Sequence, residues 1–221
     1  MSGTPAALSL DFEALTPRER YKLLIGAVVP RPIALVTTIS KAGVVNAAPF
    51  SFFNCLSADP GILALGVEYR ASGEPKDTGL NARETGFFTV NIVSMAIMDA
   101  MNVCAVPFAP EIDELQAAGL TARPGVKAPC PWIGESPAAF ECRHHSTLTI
   151  SHSREIILGE IVHAHLHERV INRENLHVDP AALDAVGRMG GHGYATTRDY
   201  FDLPTMSVAE WELRSSARPL P

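Results

Sequence analysis

The chain has 221 residues, 47% of them hydrophobic and 19% charged, with a formal net charge of −6. This length and composition predict a single domain with an ordinary hydrophobic core. The acidic balance and the lack of a basic cluster argue against a nucleic-acid surface. No apolar run reaches the ~20 residues of a membrane-spanning helix. The N-terminus lacks the basic start and long apolar stretch of a secretory signal, so we expect a cytoplasmic location.

Strand and helix signals follow one another along the chain. Thr16 and Pro17 predict the start of a helix after an extended N-terminal lead-in. Runs of β-branched and apolar residues between turn residues predict six strands, at 31–39, 44–53, 62–68, 86–93, 139–150 and 155–167. Further helices are predicted at 77–84, 94–104, 111–119 and 179–186, and residues 207–221 are interpreted as a tail. Short strands separated by Gly, Pro and Asn turns are typical of a barrel or sandwich.

The run Asn46–Asn54, NAAPFSFFN, is the first candidate site. Pro49 cannot donate a ladder hydrogen bond, so we expect strand pairing to break there and leave backbone groups free. The two alanines before the proline would let a flat heterocycle approach closely, and the phenylalanines would supply apolar walls. A flat heterocycle with a polar edge could use these free backbone groups. Considered alone, the run also fits a kinked edge strand without a ligand.

The segment SGEPKDTGLN at residues 72–81 is the second candidate site. A lysine and a hydroxyl at the start of a helix suit a phosphate, because the helix end presents free N–H groups and partial positive charge. We expect Asp77 to cap this helix and Asn81 to lock the turn. The alternative interpretation is an exposed turn.

Three histidines alternate along the last predicted strand, at His163, His165 and His167. Strand alternation places them on one face, where they could ligate zinc or copper. Neighbouring ligands on one strand lie ~6.6–6.8 Å apart along the backbone, which is wide for one ion. Alternating polar residues on an outer face explain the pattern equally well, so no metal site is predicted.

Four segments, PRPIALVTT, NAAPFSFF, KDTGLN and FFTVNIVS, occur in this order between residues 30 and 94. Together they resemble the flavin reductase-like, FMN-binding split-barrel family, of the flavoredoxin type, over residues 21–203. The resemblance implies a mainly β fold, a six-stranded antiparallel Greek-key split barrel with peripheral helices, as a single FMN-binding domain over residues 1–221. It also implies a homodimer with FMN at the dimer interface.

The resemblance also implies roles for individual residues. It places Lys76, Thr78 and Asn81 beside the FMN phosphate, and it brings Arg31 and Thr37–Thr38 to phosphate or ribityl oxygens. With the two candidate sites, the predicted FMN-binding residues are Arg31, Thr37, Thr38, Asn46, Ala48, Pro49, Phe50, Ser51, Phe52, Asn54, Lys76, Asp77, Thr78 and Asn81. His152 is predicted, by position, to steer a nicotinamide or donate to reduced flavin, with a surface histidine as the alternative.

The expected function is that of an oxidoreductase that passes hydride or electrons from NADH or NADPH through FMN to an acceptor. The acceptor could be free flavin, oxygen, ferric iron, a redox partner or a monooxygenase. No catalytic side chain is assigned, because the flavin carries the chemistry. The alternatives are a non-enzymatic FMN-binding electron carrier or storage protein, and a related protein that has lost FMN. The proline-rich excursion Pro107–Pro137 is expected to cover the active site or a partner surface.

Overall fold

The computed structural model describes residues 6–216, and its largest element is a seven-stranded antiparallel sheet. Within these residues the strands β1 to β12 run over Arg31–Pro32, Ala34–Ile39, Val45–Phe50, Phe53–Ala58, Gly61–Glu68, Phe87–Ile92, Ala122–Arg123, Trp132–Ile133, Ala138–Ser151, Arg154–Leu166, Val186–Arg188 and Tyr194–Thr196. The helices α1 to α6 run over Pro17–Ala27, Asp77–Thr85, Met98–Val103, Glu114–Ala117, Pro180–Leu183 and Val208–Ser216. The large sheet has the order β3-β2-β6-β9-β10-β5-β4.

The sheet closes into a barrel because its two edge strands are parts of one chain segment. Strands β3 and β4 are separated only by Ser51 and Phe52. The first half of this segment pairs with β2 and the second half pairs with β5, both antiparallel. Counted as one bent strand, β3 and β4 give a barrel of six strands. The predicted mainly β, antiparallel split-barrel fold is confirmed.

The predicted break in pairing at Pro49 is wrong in its position. Pro49 lies opposite Leu35 in an unbroken β2–β3 register. Ala47 donates its N–H to Glu114 rather than to β2, and alternation along the strand puts the Pro49 nitrogen on the same outer side. The proline therefore removes no sheet hydrogen bond, as expected for a proline on an edge strand. The pairing changes partner two residues later, at Ser51–Phe52.

Strand β2 separates two apolar clusters, because its side chains are buried on both faces. Ala34 and Val36 belong to the cluster that fills the barrel, together with Leu65, Phe88 and Ile157. The intervening Leu35 belongs to a second cluster outside the barrel, together with Ile97, Met101, Leu115 and Ile133. This second cluster attaches α3, α4 and the excursion to the barrel.

Helix α1 begins as its sequence predicts. The Thr16 hydroxyl accepts the Glu19 N–H at 3.3 Å, and the Glu19 carboxylate accepts the Thr16 N–H at 2.8 Å, which together form a capping box. Helix α2 also matches its predicted range to within one residue. Among residues 6–216 no helix is both long and apolar enough to cross a membrane.

The other predicted helices are shorter than expected. The helix predicted at 94–104 begins as a 3-10 turn, Met95–Ile97, before α3. The helix predicted at 111–119 is reduced to α4, because Asp113 caps it at the Leu115 and Gln116 N–H groups. The helix predicted at 179–186 ends after one turn, where the chain enters β11.

The predicted C-terminal tail contains the nine-residue helix α6. Sequence reasoning missed this helix, although Ser207 and Glu210 form a capping box at its start, with the Ser207 N–H donating to Glu210 at 2.7 Å. Residues 1–5 of the predicted lead-in and 217–221 of the predicted tail lie outside the described residues.

One buried carboxylate attaches the excursion to the barrel. Glu141 of β9 is fully buried and accepts the N–H groups of Val126, Lys127 and Ala128 at 2.6, 2.6 and 2.7 Å. Its carboxylate is also hydrogen-bonded to the His165 ring, with Nε2 2.7 Å from Glu141 Oε1. Burial raises the pKa of Glu141, but the three N–H groups and His165 outweigh it and lower the pKa to about 2.

We expect Glu141→Gln to lower the free energy of unfolding at pH 7 by about 2–3 kcal/mol, because the amide lacks the charge that these donors stabilise. The pKa of Glu141 is about 2 in the folded protein, below its ordinary value of 4.5. The stabilisation is therefore complete above about pH 4.5 and disappears as the pH falls through about 2.

Urea unfolding between pH 7 and pH 3 measures this difference. The difference in the free energy of unfolding between wild type and Glu141→Gln should become smaller as the pH falls. Glu160→Gln is the matched control, since Glu160 forms only a surface ion pair with Arg143 at 2.8 Å, and it should change stability little. A gap of the same size at both ends of the pH range would contradict the assignment.

Candidate functional site

A cavity of about 400 Å³ lies beside the free edge of β3, and it is called the β3 cavity below. Three segments that are distant in sequence line it. Strand β3 contributes Asn46, Ala48, Pro49 and Phe50, and the start of α2 contributes Lys76, Asp77 and Thr78. The third wall is the chain at 104–108 together with Glu114. The two candidate segments predicted from the sequence therefore meet at one cavity, and the start of the excursion covers it.

At Pro49 the β3 edge presents a carbonyl oxygen rather than an N–H group to this cavity, whereas Ala47 is fully buried and does not line it. The Ala47 N–H is occupied by Glu114 Oε2 at 3.0 Å, and Pro49 has no N–H. In an antiparallel strand the N–H and C=O groups of one residue point to the same side, so the carbonyl oxygens of these two residues also point away from β2. Such an edge complements a ligand that donates hydrogen bonds.

Glu114 is a functional candidate that sequence reasoning missed. Its side chain is 8% exposed and lines the β3 cavity. Burial raises its pKa, the Ala47 N–H opposes this rise, and the nearby charges of Asp77 and Asp113 add to it. Its carboxyl is therefore protonated more readily than that of a surface glutamate. No local motif marks Glu114, because its role depends on the position of α4 against β3.

The start of α2 presents backbone N–H groups to the same cavity. The residue at the N-cap position is Lys76, and no side chain caps the helix. Lys76 is half-buried, and among residues 6–216 it forms no ion pair. The prediction that Asp77 caps α2 is wrong: Asp77 is the first helical residue, and its carboxylate pairs with Arg70, which also lines the cavity.

Two side-chain hydrogen bonds connect α2 to the sheet. Asn46 Nδ2 donates to Thr78 Oγ1 at 3.1 Å, and Asn81 Nδ2 donates to Thr38 Oγ1 at 3.0 Å. Asn81 was predicted to lock a turn; instead, it attaches the helix to β2. Thr38 and Asn81 do not line the β3 cavity; nor does Thr37, whose hydroxyl donates to the Pro131 carbonyl oxygen.

Helix α2 is also pressed against β10. Arg83 Nη1 lies 2.6 Å from Glu155 Oε2, and the Tyr69 hydroxyl donates to the same oxygen at 3.1 Å. A Cβ at Gly79 would lie 2.3 Å from Glu155 Oε1, so a larger residue there would displace the Glu155 carboxylate. The buried Oε1 has no hydrogen-bond partner among the described residues.

A second cavity, of about 260 Å³, adjoins the first and shares Pro49, Phe50 and Ala105 with it. It is called the arginine cavity below, because Arg31 and Arg188 line it. Ser51 lines it as well, and its hydroxyl lies 3.5 Å from Arg31 Nε. Two predicted site residues, Arg31 and Ser51, are thus beside this second cavity rather than the first.

The remaining predicted residues lie elsewhere. Phe52 and Asn54 line an apolar depression with Ile150 and Arg154, on the far side of the bend between β3 and β4. His152 is exposed in the two-residue turn between β9 and β10, and it lines neither of the two adjoining cavities.

The histidine row occupies one face, as strand alternation predicts. The rings of His163 and His165 are 4.8 Å apart, and His165 stacks on Trp132 with ring centroids 4.5 Å apart. His167 Nε2 lies 3.0 Å from the Gly134 carbonyl oxygen. His165 and His167 therefore have protein partners, and the described part of the chain contains no group of three residues placed to hold a metal.

Known proteins resemble this chain over most of its length. It is 45% identical over 215 residues to an uncharacterized protein of Deinococcus radiodurans, with 94% of each chain covered. It is 32% identical to nitrilotriacetate monooxygenase component B from Bacillus cereus, with a TM-score of 0.85 over 90% of this chain and 100% of that one. It is 34% identical to the 2-nitrobenzoate 2-nitroreductase of Pseudomonas fluorescens, with a TM-score of 0.82 over 91% and 98% of the two chains.

The family model that matches this chain covers the barrel and the segments that adjoin it. Residues 25–183, from α1 to α5, match the family model described as flavin reductase-like domain. This match supports a flavin cofactor and an oxidoreductase activity. The chain therefore belongs to the flavin reductase-like family, as its sequence segments predicted.

Proposed function

We propose that this chain binds FMN in the β3 cavity and uses NADH or NADPH to reduce an acceptor through that flavin. The observation that carries the proposal is the meeting, at one cavity, of the outer edge of β3 at Pro49 with the start of α2. Among residues 6–216 no side chain caps this helix start, and Lys76 forms no ion pair. The flavin would supply hydride acceptance and electron delivery. The tasks of the protein side chains are to bind, to orient and to exclude water.

The start of α2 suits the phosphate end of FMN. A helix start without a side-chain cap keeps backbone N–H donors and partial positive charge for an anion. Lys76 adds a positive charge that no ion pair among residues 6–216 neutralises, and Arg70 is held nearby by Asp77. The Thr78 hydroxyl is at the same helix end and is oriented by Asn46.

The β3 edge suits the isoalloxazine ring. The ring carries an imide N–H, and the outward carbonyl oxygen of Pro49, which lines the cavity, is an acceptor for such a donor. The small side chain of Ala48 leaves room for a flat ring, and Phe50 and Phe108 give it apolar walls. Glu114 completes the polar lining.

The acceptor is proposed to be a redox partner, a monooxygenase or a small oxidant. One similar structure is named as a component of a monooxygenase and another as a nitroreductase, and these names support both kinds of acceptor. The cytoplasmic location and the lack of a nucleic-acid surface stay predictions.

We also propose a homodimer. Apolar side chains on two strands are exposed in the single chain, among them Leu56 on β4 and Leu148 and Ile150 on β9. Light scattering at micromolar concentration should give twice the chain mass of 23.7 kDa. Ile150→Glu should shift the mass toward the monomer, whereas Leu176→Glu, in an exposed loop, should not. A wild-type monomer would contradict the proposal.

The decisive test of the function is a pair of spectra. The protein purified with FMN should show flavin absorbance bands, and NADH or NADPH should bleach them under anaerobic conditions. Ala48→Leu should lose the bands because the larger side chain crowds the β3 cavity, which Ala48 lines, while Ala122→Leu, at an exposed site on β7, should keep them. The circular dichroism spectrum of Ala48→Leu should match wild type, a necessary check because Ala48 also packs against the barrel core. Flavin bands that neither NADH nor NADPH bleaches would favour an electron carrier or storage protein. A folded protein that shows no flavin bands would indicate a family member that has lost FMN.

Lys76→Ala should weaken FMN binding by about 1.5–3 kcal/mol, or about tenfold to one hundredfold, the range for a hydrogen bond to a charged group. Fluorescence titration of FMN into the apoprotein measures this change. Lys41→Ala is the matched control, because Lys41 is an exposed lysine paired with Glu84 at 3.2 Å. Equal affinities of wild type and Lys76→Ala would remove Lys76 from the phosphate site.

A further inference from the structure

Three side chains form a row across the small sheet β1–β11–β12. Arg31 of β1 lies directly opposite Arg188 of β11, and Arg188 lies opposite Tyr194 of β12. Residues directly opposite each other in antiparallel strands project from the same face. All three line the arginine cavity, so the row forms one of its walls.

The charge of this row is not neutralised within the described chain. Arg31 is 6% exposed, and its guanidinium donates to the carbonyl oxygens of Ile25, Val28 and Met189 at 2.8–3.1 Å. Arg188 Nη2 donates to the Gly191 carbonyl oxygen at 2.8 Å. Across residues 6–216 neither arginine forms an ion pair with a carboxylate.

This arrangement is costly unless an anion completes it. Like charges directly opposite each other in a sheet are destabilising, and a buried charge without a counter-ion costs still more. The lining of the cavity contains no aspartate or glutamate. Its positive charges therefore face a space that an anionic group can fill.

We propose that the arginine cavity binds the anionic group, a carboxylate or a phosphate, of the reactant that exchanges electrons with the flavin. The proposal rests on the proposed function in placing FMN in the adjoining β3 cavity. Arg188 is the principal ligand, since it is only half-buried and its planar guanidinium fits two oxygens of one anion. Arg31 contributes its positive charge rather than hydrogen bonds, because most of its N–H groups already donate to backbone carbonyl oxygens.

The cavity also favours a reactant with a planar body. The Arg188 guanidinium carbon lies 4.4 Å from the centroid of the Tyr194 ring, which fixes the orientation of the guanidinium. Tyr21 lines the same space, and Pro49 and Phe50 are shared with the β3 cavity. A reactant anchored here by its anion would therefore extend toward that cavity.

The test uses the full-length apoprotein with two probes, sodium benzoate and inorganic phosphate, against sodium chloride of equal ionic strength. Wild type should show a higher Tm with at least one probe, because a ligand that binds only the native state stabilises it. A larger shift with benzoate indicates a carboxylate on a ring, and a larger phosphate shift that Arg188→Gln abolishes indicates a nucleotide phosphate. No shift beyond that of chloride with either probe would overturn the proposal.

Variants locate the probe. Arg188→Gln should weaken probe binding by about tenfold or more, and Arg188→Lys should retain part of it. Lys76→Gln should leave benzoate binding unchanged, since Lys76 lines the other cavity. Phosphate bound at the start of α2 would be lost in Lys76→Gln and kept in Arg188→Gln, and it does not support the proposal. A loss of benzoate binding in Lys76→Gln equal to that in Arg188→Gln, or no probe whose binding Arg188→Gln weakens, would overturn the proposal. Arg188→Met, which keeps an apolar stem against Tyr194, replaces the glutamine variant if that one does not fold.

A second measurement separates this inference from the proposed function. The Kd for FMN of Arg188→Gln should stay within about twofold of wild type, because a residue outside the cofactor site makes no contact that FMN binding would lose. A loss of about tenfold or more would assign Arg188 to the cofactor phosphate and overturn the proposal. The probe titrations contain neither flavin nor nicotinamide, so they can succeed even if the proposed reaction fails.

Discussion

The free edge of β3 is the constraint on which the rest of the site depends. An edge strand leaves N–H and C=O groups unpaired, and in a protein interior each of these groups needs a partner. Here Glu114 accepts the Ala47 N–H, and Pro49 has no N–H to satisfy. At Pro49, the one of these two residues that lines the cavity, only an acceptor is left to face it. The hydrogen-bonding character of the site is thus set by two missing donors: the Ala47 N–H is paired with Glu114, and Pro49 has none.

The barrel makes this edge possible because one chain segment serves both ends of the sheet. Strands β3 and β4 are continuous apart from Ser51 and Phe52, so the segment leaves β2 at the point where it joins β5. The bend exposes the outer side of β3 to α2 and to the start of the excursion. The later part of the excursion is held by Glu141, whose ionised carboxylate accepts three N–H groups of one loop. Two parts of the excursion are therefore fixed by buried glutamates on different elements, Glu114 on α4 and Glu141 on β9.

The sequence predicted the barrel well and the site in part, for physical reasons. Six strand ranges followed from apolar and β-branched runs, which reflect burial directly. Strand β4 and the short strands β7, β8, β11 and β12 were not predicted. The helices at 94–104 and 111–119 came out shorter because tertiary contacts such as the Asp113 cap override periodicity. Asp77 was misplaced because its carboxylate has a distant partner, Arg70, that local sequence does not reveal. Glu114 and Arg188 were missed for the same reason: each acquires its role from a strand or helix far away in the chain.

The attachment of α2 has a consequence for the thermodynamics of ligand capture. The helix is joined to β3, β2 and β10 through Asn46, Asn81 and Arg83, and Gly79 brings it into contact with Glu155. An anion that arrives at its N-terminus meets donors whose positions are already set by these contacts. Little conformational entropy remains to be lost on association, so most of the interaction energy is expressed as affinity. Such a site is expected to distinguish anions by their shape. An oxyanion whose oxygens do not match the fixed donors would bind weakly, because the helix cannot move to meet it.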